Sequence, residues 1–234
     1  MHVTDDGSPF RHIYDGNGDD VLKAVVEDSV MHAFGGDDTV YGSKGSDAIY
    51  GNEGNDTIYA GSGNDFVFGG SDNDVIYGED GNDIIYGDEG DDVLDGDSGN
   101  DTLDGGTGND TYVFGRNYGT DIIEDYDGNN KVVLSGIDPN EVTFAKTNQS
   151  ELTVSINGCE DKLTIRNFNS ESFTFEFAGG VSGTVNAETA EFTEIIPEEE
   201  IIQSNAKLLS DIYSDESMSS DLLTETIGAV LIDS

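Results

Sequence analysis

The sequence predicts an all-β chain: a right-handed parallel β-roll (a β-solenoid) of nine-residue repeats, capped by a C-terminal β-structured domain and a mostly helical or disordered tail. Three observations carry this. Written in nines from Asp15, the chain keeps register without insertion through Val113, in eleven units beginning at residues 15, 24, 33, 42, 51, 60, 69, 78, 87, 96 and 105. The sixth position is Asp in ten of the eleven units, with Ser29 the exception. The eighth position is apolar or aromatic in every unit, and the fourth is Gly in nine, only Glu27 and Asp72 departing.

Each column has a physical reason. Positions seven to nine are rich in Val, Ile, Thr, Phe and Tyr, the residues that suit a pleated strand. Alternation along a strand sends position eight to one face and seven and nine to the other, so position eight must line a narrow core. Positions one to six are mostly Gly, Asn, Asp and Ser, which accept positive φ and tight turns. A three-residue strand plus a six-residue turn is half of a flattened coil. Two units, eighteen residues, complete one coil and stack on the next at a strand spacing of about 4.8 Å.

Stacking brings an electrostatic difficulty. Units alternate between two sheets, so Asp38, Asp56, Asp74, Asp92 and Asp110 form one column and Asp47, Asp65, Asp83 and Asp101 the other. Residues 15–113 carry 25 acids against two lysines, a net charge of −23, within a chain whose formal charge is −41. A hard divalent cation between successive turns removes the repulsion, because Ca²⁺ takes six to eight oxygens from carboxylates and carbonyls. Such acidity also excludes nucleic-acid binding, which needs a basic footprint, and disfavours an anionic membrane surface.

The columns resemble the pattern Gly-Gly-X-Gly-X-Asp-X-U-X of the repeats-in-toxin (RTX) calcium-binding family. Gly51-Asn-Glu-Gly-Asn-Asp-Thr-Ile-Tyr59 and Gly78-Glu-Asp-Gly-Asn-Asp-Ile-Ile-Tyr86 are close copies, and Gly105-Gly-Thr-Gly-Asn-Asp-Thr-Tyr-Val-Phe114 resembles the family's usual last repeat. The resemblance implies a Ca²⁺ between the turns of units n and n+2. Each would be held by the Asp of both units, carbonyls two and four of the first, and carbonyls one and three of the second. The first kind would come from Gly16 and Gly18, Phe34 and Gly36, Ser43 and Gly45, Asn52 and Gly54, Gly61 and Gly63, Gly70 and Asp72, Glu79 and Gly81, and Asp88 and Gly90. The second would come from Ala33 and Gly35, Gly51 and Glu53, Ala60 and Ser62, Gly69 and Ser71, Gly78 and Asp80, Gly87 and Glu89, Gly96 and Ser98, and Gly105 and Thr107. Eight unit pairs, from Asp20/Asp38 to Asp92/Asp110, carry Asp on both sides, so about eight sites are expected. The pair Ser29/Asp47 lacks one carboxylate, and Asp72 in a glycine position strains its turn.

The remaining segments follow in order. Residues 1–14 flank the roll, which spans 15–114. Residues 115–186 resemble a β-rich capping domain, with Glu151–Ile156 and Lys162–Arg166 joined through Asn157-Gly158 as a hairpin. A cap would close the open edge of the roll. Residues 187–234 are acidic, carry apolar pairs such as Ile201/Ile202 and Leu208/Leu209, and resemble the uncleaved C-terminal signal of type I secretion substrates. The N-terminus shows no basic region followed by an apolar core, so a Sec signal is not expected. No apolar run approaches the roughly 18 residues that span a membrane.

No His-Glu-x-x-His, Gly-x-Ser-x-Gly or Walker loop occurs, so the chain itself is not expected to be an enzyme. The expected function is a secreted, extracellular calcium-binding module that folds on reaching external calcium, with the type I export machinery as a partner. The alternatives are the C-terminal part of a secreted protease, lipase or pore-forming toxin, and less favourably an adhesin or ice-binding solenoid. The outward position-nine residues Tyr41, Tyr59 and Tyr77, and Tyr50, Phe68 and Tyr86, are expected to stack as ladders that stabilise the sheets. No role is expected for the lone Cys159, nor a metal site at His2, His12 and His32.

Overall fold

The computed structural model describes residues 2–4, 11–24, 27–148, 150–168 and 173–195. The described residues up to Thr193 form one compact unit, built from two eleven-stranded sheets wound as a flattened solenoid of about seven turns. The first sheet runs in parallel through Arg11–Tyr14, Ser29–Gly35, Ala48–Glu53, Phe66–Ser71, Ile84–Glu89, Thr102–Thr107, Thr120–Ile123 and Lys162–Arg166. The second runs in parallel through Val21–Lys23, Thr39–Ser43, Thr57–Ser62, Val75–Gly81, Val93–Asp95, Thr111–Phe114, Asn130–Leu134 and Phe173–Glu176. Strand register advances by eighteen residues, as in Ile49↔Val67 and Ile58↔Ile76.

The core is a single file of side chains from each sheet. Ile13, Met31, Ile49, Val67, Ile85, Leu103 and Ile123 face Leu22, Val40, Ile58, Ile76, Leu94, Tyr112 and Val132, all buried. Each nonapeptide buries one large side chain, so hydrophobic burial alone orders a long stretch of backbone with little apolar area. Outside, the aromatic ladders form as expected. Tyr41–Tyr59–Tyr77 stack at 5.1 and 5.0 Å, and Tyr50–Phe68–Tyr86 at 5.1 Å for both steps. The second ladder is longer than its tyrosines suggest, because His32 stacks on Tyr50 at 4.6 Å and Tyr14 on His32 at 5.4 Å. His32 thus belongs to an aromatic stack.

Three features differ from the sequence-based boundaries. The parallel ladder begins before Asp15, with Arg11–Tyr14 already paired to Ser29–Gly35, and His2–Thr4 adds an antiparallel edge. The ladders also continue past residue 114, where the register steps by twenty instead of eighteen: Thr102↔Ile122 and Thr111↔Lys131. Two further nonapeptides are disguised there by a two-residue slip at Phe114-Gly115. In Arg116–Glu124, Gly119 stands at position four, Asp121 at six and buried Ile123 at eight. In Asp125–Val133 the same places hold Gly128, Asn130 and buried Val132.

Only then does the topology change. The antiparallel strands Glu151–Ile156 and Val142–Lys146 finish the first sheet, and Ser182–Val185 pairs antiparallel to Phe173–Glu176 in the second. Phe144, Phe175, Phe177 and Phe192 pack together at this end, with the Phe144–Phe175 centroids 5.0 Å apart. The expected hairpin is present, its strands joined by residues 157–161 with Gly158 at φ 88°. Of the tail, residues 187–195 contain a turn and the strand Phe192–Glu194 where helix or disorder was expected; the secretion-signal-like residues 196–234 lie outside the described residues. Among the described residues no helix is long and apolar enough to cross a membrane.

Candidate metal centre

The site repeats once per turn, so one turn defines it. In most repeats positions two and four adopt positive φ, as in Gly61 (109°) and Gly63 (136°), or Gly70 (128°) and Asp72 (77°), whereas Ser43 and Gly45 do not. Side chains enter this conformation at Phe34, Asn52, Glu79 and Asp88 as well, so the turn shape overrides local preference. Asp72 keeps the glycine conformation, which is where its strain resides. The alternation turns carbonyls two and four along the solenoid axis. Asn52 O lies against the place a Cβ on Gly70 would occupy, Asp88 O against that of Gly106, and Gly63 O against that of Gly81. A Cβ on Gly81 would collide with Gly63 O. Gly81→Ala is therefore expected to raise the calcium midpoint severalfold and lower the melting temperature, at a cost above about 1 kcal/mol. Gly16→Ala, where nothing lies within 4 Å, should change neither in the same titration.

The sixth-position carboxylates are buried and asymmetric. One oxygen of each accepts the backbone N–H of the residue eighteen earlier: Asp20 N to Asp38 Oδ1 at 2.7 Å, Asp38 N to Asp56 at 2.8 Å, Asp56 N to Asp74 at 2.7 Å. Asp92 and Asp110 continue that column, and Asp47, Asp65, Asp83 and Asp101 repeat the arrangement on the other edge. The second oxygen has no partner at Asp38, Asp56, Asp65, Asp74, Asp83, Asp92, Asp101 and Asp110. A buried carboxylate oxygen left unpaired is costly, so eight in two regular files require an explanation.

Their surroundings supply one. The orphan oxygen of Asp83 and the carbonyl oxygen of Gly96 lie 2.6 and 2.8 Å from the point a Cβ on Gly78 would occupy. Asp56 with Gly69 O at Gly51, Asp74 with Gly87 O at Gly69, and Asp92 with Gly105 O at Gly87 repeat this. A carboxylate and a carbonyl, both acceptors, thus border one small space kept open by a position-one glycine. A cation suits that donor-free space. Among the described residues no three His, Cys, Asp or Glu side chains gather into a metal cluster, so backbone carbonyls would supply most of the coordination. Those of position three already accept one N–H from the preceding coil, as Ser71 O does from Gly54 N and Asp80 O from Gly63 N. Each keeps a second lone pair.

Burial, with neighbouring carboxylates adding, pushes these acids far above the ordinary Asp value. Asp92 rises to about 6, Asp56, Asp65, Asp83 and Asp110 to about 7, and Asp74 and Asp101 to about 8. The hydrogen bonds from backbone N–H groups work in the opposite direction without overcoming burial.

Two predicted positions depart from the pattern. Asp47 has no orphan oxygen, since Oδ2 accepts Ser43 N at 2.6 Å and Ser43 Oγ at 2.9 Å. Ser43 therefore closes its own turn on the carboxylate. Asp20 is only half-buried, and nothing lies within 4 Å of where a Cβ on Gly16 or Gly18 would sit, so the first predicted pair is less enclosed than the others.

The sequence reading missed a second file at position five. Asn55 N donates to Asp37 Oδ1 at 2.9 Å, Asn73 N to Asn55 Oδ1 at 3.1 Å, and Asp91 N to Asn73 Oδ1 at 2.7 Å. The opposite edge repeats this through Asn64, Asn82 and Asn100. Position five reaches to the next coil while position six reaches to the previous one. Asx or Ser at every fifth position was its visible signal, hidden because the same residues serve as turn formers.

Residues 32–67, 59–94 and 77–112 match the family described as RTX calcium-binding nonapeptide repeat (4 copies). With the parallel solenoid, this makes the matched region an RTX β-roll block, a calcium-binding class of repeat. No curated protein matches the chain. Among solved structures, the extracellular lipase LipA from Serratia marcescens is similar at 14% identity, over 65% of this chain and 41% of that one, with a TM-score of 0.29. The chain thus spans less than half of that lipase's length.

Proposed function

We propose that the repeat block is a calcium-driven folding switch serving a protein exported by a type I secretion system. The observation that carries this is the two files of orphaned, buried carboxylate oxygens, those of Asp56, Asp74, Asp83 and Asp92 each beside a carbonyl oxygen of the next coil. Calcium would be held by the sixth-position Asp pairs with the carbonyls of positions one to four. It would supply the positive charge that the turns lack. A site of Kd near 10⁻⁴ M at millimolar calcium contributes roughly 1.4 kcal/mol, and eight such sites about 11 kcal/mol. At cytosolic calcium, on the order of 10⁻⁷ M, the same contribution is close to zero. That contrast matches the whole stability of an ordinary domain, so calcium outside the cell could fold a chain that threads an exporter unfolded. The C-terminal resemblance to a type I signal supports the export half of the reading.

The test is a calorimetric calcium titration of the full chain followed by circular dichroism, repeated with magnesium. Calcium is expected to bind at several sites and fold the block. Magnesium at equal concentration should not, because it demands octahedral geometry at about 2.1 Å and gives up water reluctantly. Folding by millimolar magnesium alone would overturn the calcium assignment.

A further inference from the structure

The disguised repeat Asp125–Val133 keeps half of the sixth-position chemistry and reverses the other half. Asn130 Oδ1 accepts the N–H of Asp110 at 2.8 Å, as the sixth-position Asp of the regular repeats does for the coil before it. The second terminal atom, an unpartnered oxygen in the repeats, is here an amide nitrogen. It donates to Asp125 Oδ2 at 2.7 Å and to Asp127 O at 2.8 Å. The neighbours fix this orientation: a flipped amide would turn NH₂ toward the Asp110 N–H and its oxygen toward a carboxylate. Asp125, five residues before Asn130, stands where the regular repeats carry Gly and is buried. Its carboxylate also accepts the Tyr112 hydroxyl at 2.5 Å and Asp127 N at 3.0 Å. The Tyr112 hydroxyl in turn accepts Gly105 N at 2.7 Å.

We infer that Asn130, Asp125 and Tyr112 form a cation-free clasp, in which an amide donates to the carboxylate and carbonyl oxygens of a turn that elsewhere lacks a donor. The two adjacent coils carrying Thr111–Phe114 and Asn130–Leu134 therefore hold together without calcium and present the repeats with a preformed end on which to stack. Stacked repeats lean only on neighbours, so a standing end lowers the cost of ordering the next coil. The inference rests on the calcium reading for the contrast between this turn and the others.

The experiment is hydrogen exchange of the full chain in excess EGTA and in millimolar calcium, for the natural sequence, Asn130→Asp and Tyr112→Phe. In EGTA the natural chain is expected to keep protection at Thr111–Phe114 and Asn130–Leu134 while the strands of residues 39–81 exchange freely. Asn130→Asp, which sets a carboxylate against Asp125, should lose that protection in EGTA and recover it in calcium. Tyr112→Phe, which keeps the ring and removes the two hydrogen bonds of its hydroxyl, should speed exchange there by about tenfold in EGTA. It keeps the test decisive if Asn130→Asp fails to fold in either buffer. Protection of these two strands lost together with the repeats in the natural chain, or unchanged in both variants, overturns the clasp. Failure of the calcium reading looks different: the strands of residues 39–81 would be equally protected in both buffers.

Discussion

In excess EGTA at neutral pH, the repeats upstream of residue 105 are expected to lose their β-sheet circular dichroism in one cooperative step and regain it when calcium is restored. The reason lies in proportions. Each nonapeptide contributes one large buried side chain, and eight of the sixth-position carboxylates carry an oxygen that meets no donor. Where neither a cation nor a proton meets those oxygens they must be hydrated or moved, and either opens a turn on which the next coil stacks. Neighbour dependence then spreads the loss along the array. A spectrum unchanged by EGTA would end the calcium-dependent account.

The second large effect is on pH, and its sign differs with and without metal. In metal-free protein Asp56, Asp65, Asp74, Asp83, Asp92, Asp101 and Asp110 have folded pKa values raised to between about 6 and about 8, chiefly by burial. Their unfolded values lie near 3.9. A raised folded value means the fold binds more protons than the unfolded chain, so the stabilisation is fully present below about pH 4 and lost as pH rises through about 6 to 8. Chelator-stripped protein should therefore gain β-structure on acidification from pH 8 toward pH 4 without any calcium. With calcium present the trend reverses, since the ion takes the ionised carboxylate and displaces its proton. The calcium midpoint should rise as pH falls across the same window. Dichroism titrations at several pH values decide both halves, and a metal-free chain that is less ordered at pH 5 than at pH 8 would contradict the first.

The roll was legible because its columns obey a strict ruler. The Asp and aliphatic columns gave the eighteen-residue register, and alternation in Glu151–Ile156 and Lys162–Arg166 gave the hairpin beyond it. What escaped was whatever broke the ruler or hid in ordinary turn chemistry. Two extra residues at Phe114-Gly115 removed Asp121 and Asn130 from the Asp column, although Asp101 N and Asp110 N reach them at 3.0 and 2.8 Å. The position-five file escaped because Asn and Asp in a turn need no further reason. Ser43 closing on Asp47 was beyond sequence reasoning, since it depends on one rotamer in one turn. Spacing showed that sixth-position acids stack; only coordinates showed that one oxygen of each is already committed to a backbone N–H.

Because a coil takes two units, one on each sheet, the array is even-numbered in a sense its sequence does not advertise. Removing residues 69–86 deletes a whole coil, and every later strand keeps its sheet, its aromatic file and its hydrogen-bonding edge. Removing only residues 69–77 leaves each remaining nonapeptide intact yet transfers all downstream units to the opposite sheet. Tyr86 would then follow Tyr59 and Tyr41, and Thr120–Ile123 would be delivered to the sheet that now receives Asn130–Leu134. The repeats are interchangeable in pairs, but the end structure has a left and a right. Duplication and loss in such a chain should therefore be tolerated in steps of eighteen residues and resisted in steps of nine.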